Sequence, residues 1–130
     1  VAVVPGRRAA GAEAVAALCG PPVRPGTLEE VVDFHLVVNA TSVGLGGLSV
    51  ELALPVDRLG AGQLVVDINY PGGALVEAAR ATGAVARDGV GMLVHQAAAA
   101  FGLWTGVAAP LEAMWRGARS GLLAGAGPIR

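Results

Sequence analysis

The sequence predicts an α/β fold, a parallel sheet covered by helices on both faces. Short continuous apolar runs recur along the chain, at Val1-Ala2-Val3-Val4, Leu36-Val37-Val38 and Leu64-Val65-Val66. Helix-forming stretches follow them, with glycine and proline as punctuation. Continuous rather than alternating apolar runs suit strands with no wet face, which is the habit of parallel sheets. A length of 130 residues suits one core of ordinary size.

Each element has a local reason. Val1–Val4 is a short strand ended by Pro5-Gly6. Ala9–Cys19 is alanine-rich with helical spacing, and Gly20-Pro21-Pro22 stops it. Val23-Arg24 reads as a very short strand. Thr27 is placed to cap a helical turn over residues 28–32, with Glu30 at the capping-box position. Leu36–Asn39 is the next strand, and residues 44–62 form a long glycine-broken connection. Leu64–Ile68 is the richest β-forming run. Pro71-Gly72-Gly73 turns into a helix over Ala74–Ala81, which Gly83 ends. Ala84-Val85-Ala86 is a strand, Gly91–Leu103 a helix and Pro110–Leu123 another. Cys19, Trp104 and Trp115 read as packing residues.

Composition excludes several classes. Nine basic residues face ten acidic ones, and aromatics make up 4% of the chain. That is no electrostatic footprint for nucleic acid and offers few stacking platforms. No apolar stretch approaches the ~18 residues of a membrane helix, and no secretory leader is visible at the start. One cysteine excludes a disulfide framework, so a cytoplasmic setting is expected. All nine basic residues are arginines. Chemistry that needs a lysine cannot be completed by this chain alone.

Ligands of parallel sheets collect at the carboxyl ends of the strands. The residues there are Gly6-Arg7-Arg8, Asn39-Ala40-Thr41-Ser42, Asp67-Ile68-Asn69-Tyr70 and Asp88-Gly89-Val90-Gly91. Two readings fit Gly6-Arg7-Arg8: a guanidinium grip on a 2′-phosphate, or a solvated pair at a helix start. Gly89-Val90-Gly91 is no pyrophosphate loop, because Val94 takes the third glycine's place. His95 has no acid three or four positions away to orient it and reads as a surface histidine, as does His35. Tyr70 and Gln96 carry groups that suit a hydroxylated ligand.

Four segments, in this order and spacing, resemble the C-terminal half of the shikimate dehydrogenase family. They are Asn39-Ala40-Thr41-Ser42-Val43-Gly44, Asp67-Ile68-Asn69-Tyr70-Pro71, the run from Asp88 to Ala97 that includes Gly91-Met92-Leu93-Val94-His95-Gln96, and Phe101 with Trp104-Thr105-Gly106. The resemblance implies a Rossmann-like NADP-binding domain, here without its first βα unit, followed by C-terminal helices. Residues 1–105 would be the partial NADP domain and 106–130 the last helix and tail. It implies NADP-dependent reduction of 3-dehydroshikimate to shikimate. Tyr70 and Gln96 would then touch shikimate. Asn39, Ala40, Thr41 and Ile68 would line the cofactor. The Gly89 carbonyl would hold the nicotinamide carboxamide, with Met92 packed near that ring. The family's Asn-Arg-Thr motif for the 2′-phosphate maps onto Gly6-Arg7-Arg8. Arg7 keeps the arginine, Gly6 and Arg8 depart from the pattern, and a second expected arginine falls on Gly11.

The resemblance also places the family's catalytic lysine and aspartate in an N-terminal substrate domain outside this chain. No catalytic residue is therefore expected here. The expected partners are that missing domain or another chain that completes the sheet. Two alternatives stand beside this reading: a non-catalytic cofactor-binding remnant or regulator, and a sister dehydrogenase of the quinate type.

Overall fold

The computed structural model describes residues 2–3, 10–41 and 54–123. Five strands and four α-helices alternate through them. Strand β1 (Ala2–Val3) leads to α1 (Ala10–Cys19) and β2 (Arg24–Pro25). A 3-10 helix at Glu29–Asp33 precedes β3 (Leu36–Asn39), and another at Val56–Arg58 precedes β4 (Leu64–Asp67). Then come α2 (Ala74–Ala81), β5 (Val85–Arg87), α3 (Val90–Thr105) and α4 (Leu111–Leu123).

Every strand pairing is parallel. β3, β4 and β5 form one sheet in that order, with Leu36 opposite Leu64 and Leu64 opposite Val85. β1 and β2 form a separate two-stranded sheet, with Ala2 opposite Arg24. Among the described residues no ladder joins the two. The carboxyl ends of β3, β4 and β5 thus lie along one edge, and the loops that leave them share one rim.

The core sits between α2 and one face of the larger sheet. Leu75, Val76 and Ala79 fall on one side of α2 and are buried with Val37, Val65, Ala84 and Ala86. Val65 is fully buried at the centre. Full burial of one such side chain contributes about 1.5–3 kcal/mol. Ala79 and Ala86 are small enough to let the helix lie close. Gln63 closes the far end of the sheet. Its Nε2 donates to the carbonyls of Val31 and Phe34 at 3.0 and 2.8 Å, and its Oε1 accepts from the Gly60 N–H at 2.9 Å.

Coverage of both sheet faces was expected, and the structure corrects this. Leu36 and Val38 are 56% and 52% exposed, and Leu64 and Val85 are exposed as well, while Val37, Val65 and Ala86 between them are buried. Period-two geometry sends alternate side chains to opposite faces, and among the described residues only one face meets a helix. A continuous apolar run cannot say which face is covered.

Three local expectations are also corrected. Thr27 does not cap a helix: Leu28 is the N-cap residue of the 3-10 helix, with no side-chain cap bond. The Thr27 hydroxyl instead bonds to Glu29, whose carboxyl is held below its ordinary pKa by its own backbone N–H and then by that hydroxyl. Glu30 reaches Arg24 at 2.9 Å rather than a cap. Cys19 is exposed, whereas Ala12 and Ala16 of α1 face inward. Trp104 is 85% exposed and stays outside the buried core.

α3 ends at Gly106, whose φ of +70° suits glycine and lets its N–H return to the Gly102 carbonyl at 2.9 Å. α4 then folds back on α3. Trp115 meets the His95 ring edge-on at 6.0 Å, and Arg119 lies 5.3 Å over the Trp115 ring.

Candidate cofactor and substrate site

Three loops leave the carboxyl ends of β3, β4 and β5, and buried polar groups tie them to one another. Asn39 ends β3. Its Oδ1 accepts from both the backbone N–H and the hydroxyl of Thr41, at 3.1 and 2.7 Å. Its Nδ2 donates to Asp67 at the end of β4, at 3.1 Å. The Asn39 side chain therefore shapes the turn through Ala40 to Thr41, and it does so from inside. Ala40 and Thr41 themselves are exposed on the rim.

Asp67 is the centre of this network and is 2% exposed. One carboxylate oxygen, Oδ1, takes the Asn39 amide, the Asn69 backbone N–H at 3.1 Å and the Asn69 side-chain amide at 3.0 Å. Asn69 Nδ2 also donates to the Thr41 carbonyl at 3.1 Å, which closes the circuit between the β3 and β4 loops. The Ile68 N–H donates to the Asn39 carbonyl at 3.0 Å. Bonds to a charged acceptor are the stronger kind.

The β5 loop presses on the β4 loop. The Gly89 N–H donates to the Asn69 carbonyl at 3.1 Å. A Cβ on Gly89 would lie 1.9 Å from the Ile68 carbonyl oxygen. Ile68 and Gly89, two sequence-predicted cofactor residues, are thus in direct backbone contact. Asp88 bridges outward: its Oδ2 accepts from the Gly72 N–H at 3.1 Å and its Oδ1 from the Val90 N–H at 3.2 Å.

The other predicted residues sit around this rim. Tyr70 is 41% exposed on the turn that follows β4, and Met92 is 49% exposed in the first turn of α3. Gln96 is exposed one turn further along α3. It opens a groove of about 400 Å³ with Ala97, Ala100, Phe101, Trp104 and Met114. Tyr70 does not line that groove. Arg7 and Arg8 lie outside the described residues, as does Ser42. His95 is exposed and turned to Trp115, as a surface histidine would be.

Sequence reasoning assigned no role to Asp67, Asn69 or Asp88. The available signal was position, since both acids stand where a strand gives way to a loop. An acid there can accept backbone N–H groups that a strand end leaves unpaired.

The rim suits a dinucleotide on the chemistry of its groups. A pyrophosphate is anionic, and neither acid at the strand ends turns an uncommitted carboxylate toward it: Asp67 is buried, and Asp88 takes a backbone N–H on each oxygen. Beside the Thr41 and Tyr70 hydroxyls, the rim exposes small or apolar groups in Ala40 and Met92. Such surfaces suit a planar ring. Among the described residues, no group of three His, Cys, Asp or Glu could hold a metal ion, and no helix is long and apolar enough to cross a membrane.

Known proteins agree with this architecture. Residues 89–118 match the Shikimate 5'-dehydrogenase C-terminal domain. The NADP(+)-dependent shikimate dehydrogenase of Anaeromyxobacter sp. (strain Fw109-5) is 44% identical over 115 residues, which cover 80% of this chain and 40% of that protein. The crystal structure of Thermus thermophilus shikimate 5-dehydrogenase, in complex with NADP(H) and shikimate, superposes with a TM-score of 0.83. It is 34% identical, over 94% of this chain and 46% of that one. Quinate dehydrogenase from Corynebacterium glutamicum, in complex with NAD, superposes with a TM-score of 0.67 at 31% identity, over 80% of this chain and 39% of that one. The chain thus spans less than half the length of these relatives. Its Rossmann-like α/β fold, its strand-end segments and its helix α3 all agree with one assignment: the chain belongs to the shikimate dehydrogenase family and corresponds to the C-terminal part of its members.

Proposed function

We propose that this chain is the cofactor-binding part of an NADP-dependent shikimate dehydrogenase, which reduces 3-dehydroshikimate to shikimate in aromatic amino-acid biosynthesis. The observation that carries the reading is the joined rim: three strand-end loops locked together by Asp67, Asn69 and the Ile68–Gly89 contact. A rim of that kind holds backbone groups in place before a ligand arrives, which lowers the ordering cost of binding. Residues 1–105 are the partial NADP domain, and 106–130 the C-terminal helix and tail.

In this reading NADPH supplies the hydride. Ala40, Thr41 and Ile68 line the cofactor, and Asn39 shapes their turn from beneath. The Gly89 carbonyl takes the carboxamide, and Met92 covers the ring. Arg7 and Arg8 grip the 2′-phosphate. Tyr70 and Gln96 hold the hydroxylated substrate, since a phenol and an amide each supply a donor and an acceptor. The acid–base lysine comes from outside, because this sequence has no lysine. Two features support a completing partner, either an N-terminal substrate domain or another chain. The β1–β2 sheet and the β3–β4–β5 sheet share no ladder among the described residues, and the larger sheet has an exposed apolar face. The chain's one thiol, Cys19, is exposed, which suits a reducing compartment, and we place the protein in the cytoplasm.

The test is shikimate-dependent NADPH formation. The 130-residue chain alone should give none, and the protein carrying it together with a lysine-bearing substrate domain should turn over. Faster turnover of quinate than of shikimate would favour the quinate-type reading, which the Corynebacterium likeness keeps in view. In the active protein, Gln96→Ala should raise KM for shikimate about tenfold, the scale of one lost hydrogen bond. NADPH affinity should stay nearly unchanged. A drop in Tm with normal shikimate kinetics would instead make Gln96 a packing residue.

A further inference from the structure

We propose that Asp88 is a positioning residue of this site, a clamp whose two carboxylate oxygens fix the Tyr70 turn against the start of α3. The inference rests on the functional reading above only for the identity of the ligand. The clamp itself is geometric.

Asp88 follows β5 and is half-buried. Oδ2 accepts from the Gly72 N–H at 3.1 Å, and Oδ1 accepts from the Val90 N–H at 3.2 Å. Gly72 lies two residues past Tyr70. Val90 is the first residue of α3, the helix that carries Met92 and Gln96. One side chain therefore joins the turn that presents Tyr70 to the helix that presents Gln96. The fit is close at both partners. A Cβ on Gly72 would stand 3.1 Å from the Asp88 Cβ and 3.4 Å from its Oδ2, so a larger residue there would push the turn away from the clamp.

The loop residues assigned to the cofactor do not depend on this clamp. Gly89 is held by its own bond to the Asn69 carbonyl and by contact with Ile68. Asn69 in turn is held by Asp67. The rim thus has two separately braced halves. Asp67 braces the loops assigned to the cofactor, and Asp88 sets the spacing of the two side chains assigned to the substrate.

A plain helix cap would need one acceptor, and the clamp needs two. Asparagine separates these roles, because it caps helices as well as aspartate does. In Asp88→Asn, one oxygen still takes the Val90 N–H, but an amide N–H₂ then faces the Gly72 N–H, and that bond is lost.

The experiment uses the complete protein that carries this sequence. Residue-resolved amide exchange by NMR should show the Gly72 N–H exchanging at least about tenfold faster in D88N, with Val90 and Gly89 unchanged. KM for shikimate should rise about tenfold, with NADPH affinity within about twofold of the unmodified protein and kcat less affected than KM. Unchanged Gly72 exchange overturns the clamp, whatever the substrate proves to be. Faster Gly72 exchange with unchanged shikimate KM also overturns the proposal, leaving Asp88 a loop brace. Equal losses for shikimate and NADPH would do so too, because the two halves would then not be separately braced. If the unmodified protein fails to turn over shikimate, the functional reading fails. The exchange data still decide the clamp.

Discussion

Replacing Gly89 by alanine should cost about 3 kcal/mol or more of stability, at the upper end of what overpacking does. The backbone torsion does not require glycine: φ is −75° and ψ −4°, ordinary helical values. Space requires it. The new methyl would sit 1.9 Å from the Ile68 carbonyl oxygen and 2.5 Å from its carbon, and both are backbone atoms with no rotamer to escape into. Either the β4 loop or the start of α3 must move by more than an ångström. That movement breaks the Gly89–Asn69 bond and separates two residues assigned to the cofactor, so NADPH affinity should fall at least a hundredfold. Gly91→Ala is the control, two residues away. Its Cβ would meet only Trp115, at 3.7 Å, an ordinary contact. Inside a helix that change should stabilise by about 0.5–1 kcal/mol. Urea unfolding of both variants, with NADPH titrations, checks the pair. Equal stability of the two would mean the loops are not in contact.

Asp67→Ala should be comparably severe, at roughly 3–5 kcal/mol. A buried oxygen that takes three donors disappears. The Asn39 amide and the Asn69 backbone N–H lose their acceptor, and each such orphan costs about 1–3 kcal/mol. The Asn69 side chain is partly protected, because it also reaches the Thr41 carbonyl. Asp67→Asn keeps the shape and one neutral acceptor, so it should lose only about 1–2 kcal/mol. The order Ala worse than Asn is the diagnostic result in denaturant unfolding. NADPH affinity should follow the same order, because Asn39, Thr41 and Ile68 share this network. If alanine and asparagine were alike, the three bonds would contribute little.

The two predictions rest on contacts that sequence patterns leave silent, and the reason is physical. Elements were legible where their causes are local. β3 spans Leu36–Asn39 and α2 spans Ala74–Ala81, at the bounds that branched apolar runs and glycine stops indicate. β4 and α4 differ from expectation by one residue at a single end. A strand's branched side chains and a helix's capping glycine act over a few positions, so neighbouring letters carry the information. The strand-end segments were legible in the same way, because parallel strands send ligands to one edge.

What the sequence by itself determined, then, is the succession of parallel strands and helices, the loops that meet at one rim, and the lack of a lysine for proton transfer. Tertiary structure alone decided which face of the strands is buried, since Val37 and Val38 are equally apolar and only Val37 meets the core under α2. It also decided that Asn39 turns inward to an acid 28 residues away, that Gly89 must lack a side chain, and that Asp88 joins two loops. Burial and hydrogen bonding depend on what the fold brings within about 3 Å. Partners tens of residues apart leave no periodicity to read.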